Sequence, residues 1–307
     1  MITNYLKEIK SKLDQTIEIK DADHRLSLVL QMLLLIFLIF MYDNGYLSIF
    51  IPVIVIPGIL FKSVRENPYF WVLLSFLGCT FYLVLDLVGY VPNHKHIFAY
   101  VILAVTLAMF LKKQIHPLSF LQTQARYIIG LCFLFATIGK FLAPEFLNGA
   151  FFEFTNTSDP RFFGFTSLFG EVDLALLKEN EDHLTQLVRT SNPSDFFVLN
   201  GAKEISGFGI IISYWTILIE GMIALSFCLP RKTLLSKYRN IFLVIFILTT
   251  YPIATVTGFA IILTSLGFIQ SLDKNHGLTN FSWFYLFVFV LLPLNYFPFT
   301  RILTLFQ

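Results

Sequence analysis

The chain has 307 residues, 56% hydrophobic and 14% charged, and its mean hydropathy of +0.72 is far above that of a soluble globular domain. Phe alone supplies 36 residues spread along the whole length, which excludes a soluble domain with one apolar anchor and marks an integral membrane protein. Lys+Arg 22 against Asp+Glu 20 leaves a net charge of +2, without the basic stripe that nucleic acid requires, so the expected partner is the lipid bilayer and not nucleic acid.

The chain opens with a polar segment, 1 to 25. Within it Ile2, Tyr5, Leu6, Ile9, Leu13 and Ile17 recur at helical spacing with lysines between them, the pattern of an amphipathic helix lying in the cytoplasmic interface. A secretory signal would place an apolar stretch and a small-residue cleavage site here, so no cleaved signal is expected. Crossing the hydrocarbon core takes about 20 mostly apolar residues. Such runs fall at 26 to 42, 46 to 61, 70 to 90, 97 to 111 and 127 to 143, then at 207 to 228, 240 to 270 and 281 to 299. The expected fold is all-α, a polytopic helical membrane bundle of about eight transmembrane helices. The seventh run is long enough to be tilted, or broken near Pro252 and Gly258.

Positive charge sorts by side. Fifteen Lys and Arg, among them Lys7, Arg25, Lys62, Arg65, Lys112, Lys113, Arg231 and Arg301, fall on one side of the alternating spans. Six fall on the other, from Lys95 to Lys274, so the positive-inside rule places both termini in the cytoplasm. The organisation expected is a cytoplasmic N-terminal helix at 1–25, five spans within 26–143, an outer-face lid at 144–206 and three spans within 207–307. In the lid, EVDLALLKENEDHLTQLVR is amphipathic, and Ser191 or Asn192 caps a helix with Pro193 in its first turn. Asn156-Thr157-Ser158 and Asn280-Phe281-Ser282 match the glycosylation sequon, a three-residue pattern that arises readily by chance. Cys79, Cys132 and Cys228 lie in separate apolar runs and form no C-x-x-C motif.

An ionisable residue at the bilayer centre costs roughly 2.5–3.5 kcal/mol on insertion scales, so each one asks for a reason. Asp86 lies late in the third run, Lys140 late in the fifth and Glu220 near the middle of the sixth, while Asn93, His94 and His96 precede the fourth. Each has two readings. Lys140 either snorkels or caps its helix end, or faces an interior site. Asp86 is its ion-pair partner or faces a water pocket. Glu220 makes a structural hydrogen bond to a neighbouring helix or takes part in chemistry. His94 is a solvated loop histidine or a site residue. Tyr82, Tyr214, Tyr251 and Trp215 read as packing or as cavity lining.

Two segments carry a family resemblance. VPNHKHIFAYVILAVTLAMF resembles the Asn-His segment before a span in the vitamin K-dependent gamma-carboxylase and HTTM (horizontally transferred transmembrane) superfamily. RYIIGLCFLFATIGKFLAPEFLNGAFFEF is similar to the span-plus-loop pattern of the same superfamily: small residues, a lysine, an acidic segment, then a Gly followed by an aromatic. The resemblance implies that Lys140 is a catalytic base acting with a quinone, vitamin K hydroquinone or another, and that His94 supports the site. A lysine in a low-dielectric pocket can be a neutral base, which an exposed one near its reference pKa of about 10.4 cannot. Burial adds Glu220 as a second proton carrier or as the partner that orients Lys140. No histidine stands at the start of 251 to 267, where family members often have one. The chain stops at Gln307, so no large lumenal domain for a protein substrate is expected.

The reading is a membrane enzyme using Lys140 with His94, Asp86 and Glu220 on a quinone-like or lipid-soluble substrate near the outer leaflet of a bacterial inner membrane. The alternative is a non-catalytic membrane module assembling with a membrane or envelope protein. A transporter would show inverted repeats and broken helices; the seventh run is the one hint of a break.

Overall fold

Without water to receive them, backbone N–H and C=O groups in hydrocarbon must pair within their own segment, and helices do this. The structure, a computed structural model, describes residues 22–41, 47–88, 92–190, 199–254, 256–272 and 278–292. Every regular element among them is helical: α1 Ala22–Met41, α2 Leu47–Leu60, α3 Lys62–Arg65, α4 Pro68–Val88, α5 Asn93–Phe110, a 3-10 turn Leu111–Lys113, α6 Pro117–Leu142, α7 Pro144–Leu147 and α8 Ala150–Ser158. There follow α9 Phe163–Phe169, α10 Leu174–Thr190, α11 Ala202–Cys228, α12 Leu234–Lys237, α13 Arg239–Thr250, α14 Thr257–Ser271 and α15 Asn280–Leu291. The expected interfacial helix at 2 to 17, the Ser191–Pro193 helix start and both termini lie outside the described residues.

Four helical segments are long and apolar enough to cross a membrane: Ala22–Met41, Asn93–Lys113, Pro117–Leu142 and Gly207–Cys228. The protein is therefore an all-α integral membrane protein. The other expected spans fall on α2, α4, α13, α14 and α15, whose described apolar stretches are shorter. The seventh run divides into α13 and α14, with a turn at Tyr251–Ile253 that contains Pro252, whose ring removes a donor from the helical ladder.

The chain forms two compact units, one of 1–128 with 257–307 and the other of 129–256. In the first, the core lies around α1 and α14. Val29, Leu30, Leu33, Leu34 and Ile36 of α1 are fully buried, and α14 is buried from Ala260 through Ser271, as expected of a helix apolar on all faces. Its hydroxyls are satisfied within the helix: Thr264 donates to the Ala260 carbonyl at 2.7 Å and Ser265 to that of Ile262 at 2.7 Å. Arg65 binds one end of the unit together. Its Nε and Nη2 donate to Ser27 Oγ at 2.9 and 2.6 Å, and Nη1 to the Ile59 carbonyl at 3.1 Å. Trp71 Nε1 closes the same corner by donating to the Arg65 carbonyl at 2.7 Å.

The second unit contains the stretch read as a lid, which folds into α7 to α10. The amphipathic pattern holds in the first turns of α10: Leu177 is fully buried against Phe163 and Val172, while Lys178, Glu179 and Asp182 are exposed. Asn180 fastens it, donating from Nδ2 to the carbonyls of Thr157 at 3.0 Å and Asn200 at 2.9 Å, and accepting the Asn200 N–H at 3.1 Å. Asn156 of the sequon is wholly buried, so in the folded chain its amide is closed to glycosylation. Gly149 precedes α8 at φ +86°, and a Cβ there would lie 2.9 Å from the backbone N of Ile210. The Gly-then-aromatic pattern at 149–152 is thus the point where the chain touches the α11 backbone.

Two outcomes follow for stability in detergent. A side chain at position 130 would start 2.8 Å from Cys228 Sγ and 3.1 Å from Phe227 Cβ, so Gly130→Val should destabilise by about 1–3 kcal/mol, as overpacking does, read as a lower thermal midpoint. Asp159 sits between opposed influences: burial raises its carboxyl pKa, and the Arg161 guanidinium and N–H, which it accepts, lower it more, leaving it below its ordinary 3.8. A depressed carboxyl stabilises the fold above pH 3.8 and loses that contribution as pH falls through its folded value. Asp159→Asn should therefore flatten the loss of stability below about pH 4; an unchanged acid limb would show that the pair does not hold the fold.

Candidate functional site

The site is built by two helices of the second unit. The part of α6 after residue 128 runs antiparallel to α11: Gly130 faces Phe227 and Cys228, and Gly221 faces Thr137 with 3.7 Å from a Cβ to its Cγ2. Small residues at such seams let membrane helices approach closely. Following that register along α6 brings Lys140 to Glu220. Lys140 Nζ donates to Glu220 Oε2 at 2.6 Å, with the two side chains 20% and 9% exposed. Both lie in segments long and apolar enough to cross a membrane, so each charge is tolerable chiefly because the other is present. The ammonium also lies 5.4 Å from the centre of the Phe146 ring, on the ring's electron-rich face.

A second group of aromatic rings belongs to the same unit. Phe133 of α6 stacks edge-on to Phe246 of α13 at 4.9 Å, and Phe246 to Tyr251 at 6.0 Å. Cys132 is within electrostatic reach of Lys140, Glu220 and Tyr251. The Tyr251 hydroxyl is buried and has no hydrogen-bond partner among the described residues, an unusual state for a phenol in a packed interior. It stands at the turn between α13 and α14, where Pro252 interrupts the apolar run.

Of the four residues expected from the sequence, the structure brings two together, Lys140 and Glu220. His94 belongs to the first unit, where its ring packs on Phe40 at 5.2 Å and lies so close to the first turn of α14 that a Cβ on Gly258 would fall 2.4 Å from its Nε2. Asp86 is on α4, and its side chain lies outside the described residues. The other aromatic candidates separate. Trp215 Nε1 donates to Thr249 Oγ1 at 3.1 Å, fastening α11 to α13, and Tyr214 is 56% exposed. Cys132 and Phe146 were not read as site residues; Cys132 stands about two helical turns before Lys140, the one sequence signal that could have grouped them. Among the described residues no group of three His, Cys, Asp or Glu is placed to hold a metal ion.

No protein-family model, curated protein or solved structure matches the chain.

Removing one partner of the pair should cost more than removing both. Glu220→Gln leaves the Lys140 ammonium without its counter-charge and should destabilise by about 3 kcal/mol, at the low end for a buried pair because Lys140 keeps some solvent. The double variant Lys140→Met/Glu220→Leu should recover most of that loss. Unfolding of all four forms in one detergent checks this; strictly additive losses would mean that the two groups do not stabilise each other.

Proposed function

We propose that the chain is an HTTM-type membrane enzyme in which Lys140 is the base, Glu220 holds its proton, and the substrate is a quinone-like or other lipid-soluble molecule. The observation that supports this reading is the 2.6 Å hydrogen bond from Lys140 Nζ to Glu220 Oε2, buried between two apolar helices. An amine becomes a base only after losing its proton. Transfer along this hydrogen bond turns an ammonium and a carboxylate into a neutral amine and a neutral acid, removing both charges from a low-dielectric site. The freed amine takes a proton from a weakly acidic O–H or C–H, and the resulting ammonium again pairs with the carboxylate once Glu220 has released its own proton.

The residues present suit a quinone. Phe146, Phe133 and Phe246 supply flat apolar faces, and the buried Tyr251 hydroxyl is a donor with no acceptor among the described residues, suited to a carbonyl or phenolate oxygen. A bound hydroquinone would supply two phenolic protons and two electrons. Lys140 would take a proton, Glu220 would return Lys140 to its starting state, and the phenylalanines would exclude water.

The test is Lys140→Arg. Arginine keeps the pairing with Glu220 but stays protonated, so the variant should express and unfold as wild type does. Its consumption of vitamin K hydroquinone in proteoliposomes under oxygen should fall at least about a hundredfold, the typical contribution of a general base. A variant that consumes hydroquinone at the wild-type rate would remove Lys140 as base. If wild type consumes none and binds none on lipid extraction, the non-catalytic membrane module becomes the better reading.

A further inference from the structure

The first unit holds a second site, independent of the function proposed for the Lys140–Glu220 pair. Where α6 begins, a cavity of about 430 Å³ is lined by Arg25 of α1, by Gln114 and His116 of the connection before α6, and by Ser119 and Gln122 of its first turns. Arg25 is 3% exposed, so a guanidinium is held inside the wall and not extended into solvent. The first α-helical bond of α6 here runs from the Phe120 N–H to the His116 carbonyl at 3.2 Å. The N–H groups of Leu118 and Ser119 come before it and have no acceptor within the helix, and both residues line the cavity. The donors are thus a guanidinium, an imidazole and the start of a 26-residue helix. Gln122 already spends its amide on the Leu272 carbonyl at 2.6 Å. Among the described residues the Asp23 carboxylate is near, 3.7 Å from His116 Nε2 and 63% exposed.

The surroundings identify what an anion here would belong to. Arg65 reaches Ser27, two residues along α1 from Arg25, and Lys112 Nζ reaches the Glu66 carbonyl at 3.5 Å. Arg25, Lys62, Arg65, Lys112 and His116 therefore gather at one end of the unit. Two helices long and apolar enough to cross a membrane, α1 and α6, meet the cavity near their first residues, which puts it at the level of lipid headgroups. A basic pocket between spanning helices at that level suits an anionic headgroup. We propose that this cavity holds the phosphate group of an anionic phospholipid from the leaflet at the basic end of the first unit.

The experiment is native mass spectrometry of the full chain in detergent with phosphatidylglycerol, phosphatidylcholine or inorganic phosphate added at matched ionic strength. Wild type should retain one phosphatidylglycerol at concentrations at least tenfold below those needed for phosphatidylcholine. Arg25→Gln should abolish that preference. Because Arg25 is buried and its loss could unsettle the fold, Ser119→Asp provides the second arm: a carboxylate in the first helical turn suits the helix but repels a phosphate in the cavity, so the variant should stay folded and lose the preference. Equal retention of the two lipids by wild type, or an undiminished preference in folded Ser119→Asp, would overturn the proposal. Displacement of phosphatidylglycerol by inorganic phosphate at equal concentration would overturn the lipid as source.

Discussion

An ammonium and a carboxylate 2.6 Å apart between apolar helices constrain the second unit more than any apolar contact does. Hydrophobic packing is non-directional and tolerates small shifts, whereas two desolvated charges are stabilised only over a narrow range of separations. The α6–α11 seam is built to deliver that range. Gly130 and Gly221 set how near the helices come, and their antiparallel register sets which residues meet. The Gly149–Gly209 contact, where a Cβ on Gly209 would sit 2.9 Å from the Gly149 carbonyl, seats α8 on the same helix. The rest of the unit, the Phe146–Phe152–Phe162 cluster included, packs around a helix whose position these contacts have already settled.

The first unit meets the same difficulty with polar groups differently. Its buried hydroxyls bond to carbonyls of their own helices, as Thr264 and Ser265 do, or to one another, as Ser75 does to Thr106 and Ser271 to Ser282, and Arg65 is matched to a serine and a carbonyl near the unit's basic end. Asn180 in the second unit follows that pattern too, satisfying the Thr157 and Asn200 carbonyls with one amide. Single side chains serve several backbone groups at helix ends and turns, where intrahelical partners run out.

Much of this was legible in the sequence, for definite reasons. Long apolar runs predict helices because hydrocarbon admits little else, and Pro252 marked the break in the seventh run because proline cannot continue the ladder. The amphipathic spacing of residues 174–190 predicted α10. Lys140 and Glu220 were legible singly, from the cost of placing charge among apolar residues. Their meeting was not, since nothing local says which of several intramembrane charges pair; that depends on a register fixed by Gly130 and Gly221, whose facing residues lie about ninety positions away in the chain. The two roles of asparagine were equally hidden. Asn156 and Asn180 both sit in polar stretches, and only the packing of α8 and α10 buries them. Eight spans were expected from eight apolar runs; among the described residues four helical segments are long and apolar enough to cross, and the run at 240 to 270 divides into α13 and α14.

The division of the chain also bears on how it is made. The unit of 129–256 is continuous in sequence, while the other is assembled from segments on both sides of it. A ribosome adds roughly 5–20 residues each second, so residues 257–307, α14 among them, follow the completed inner unit by roughly 3 to 10 s. Through that interval α1 lacks the helix that covers it in the finished fold, and its apolar surface must be held by lipid or by an insertion factor. The inner unit, Lys140–Glu220 pair included, meets no such delay, which makes it the natural first intermediate of biogenesis and the closing of α14 onto α1 the last step.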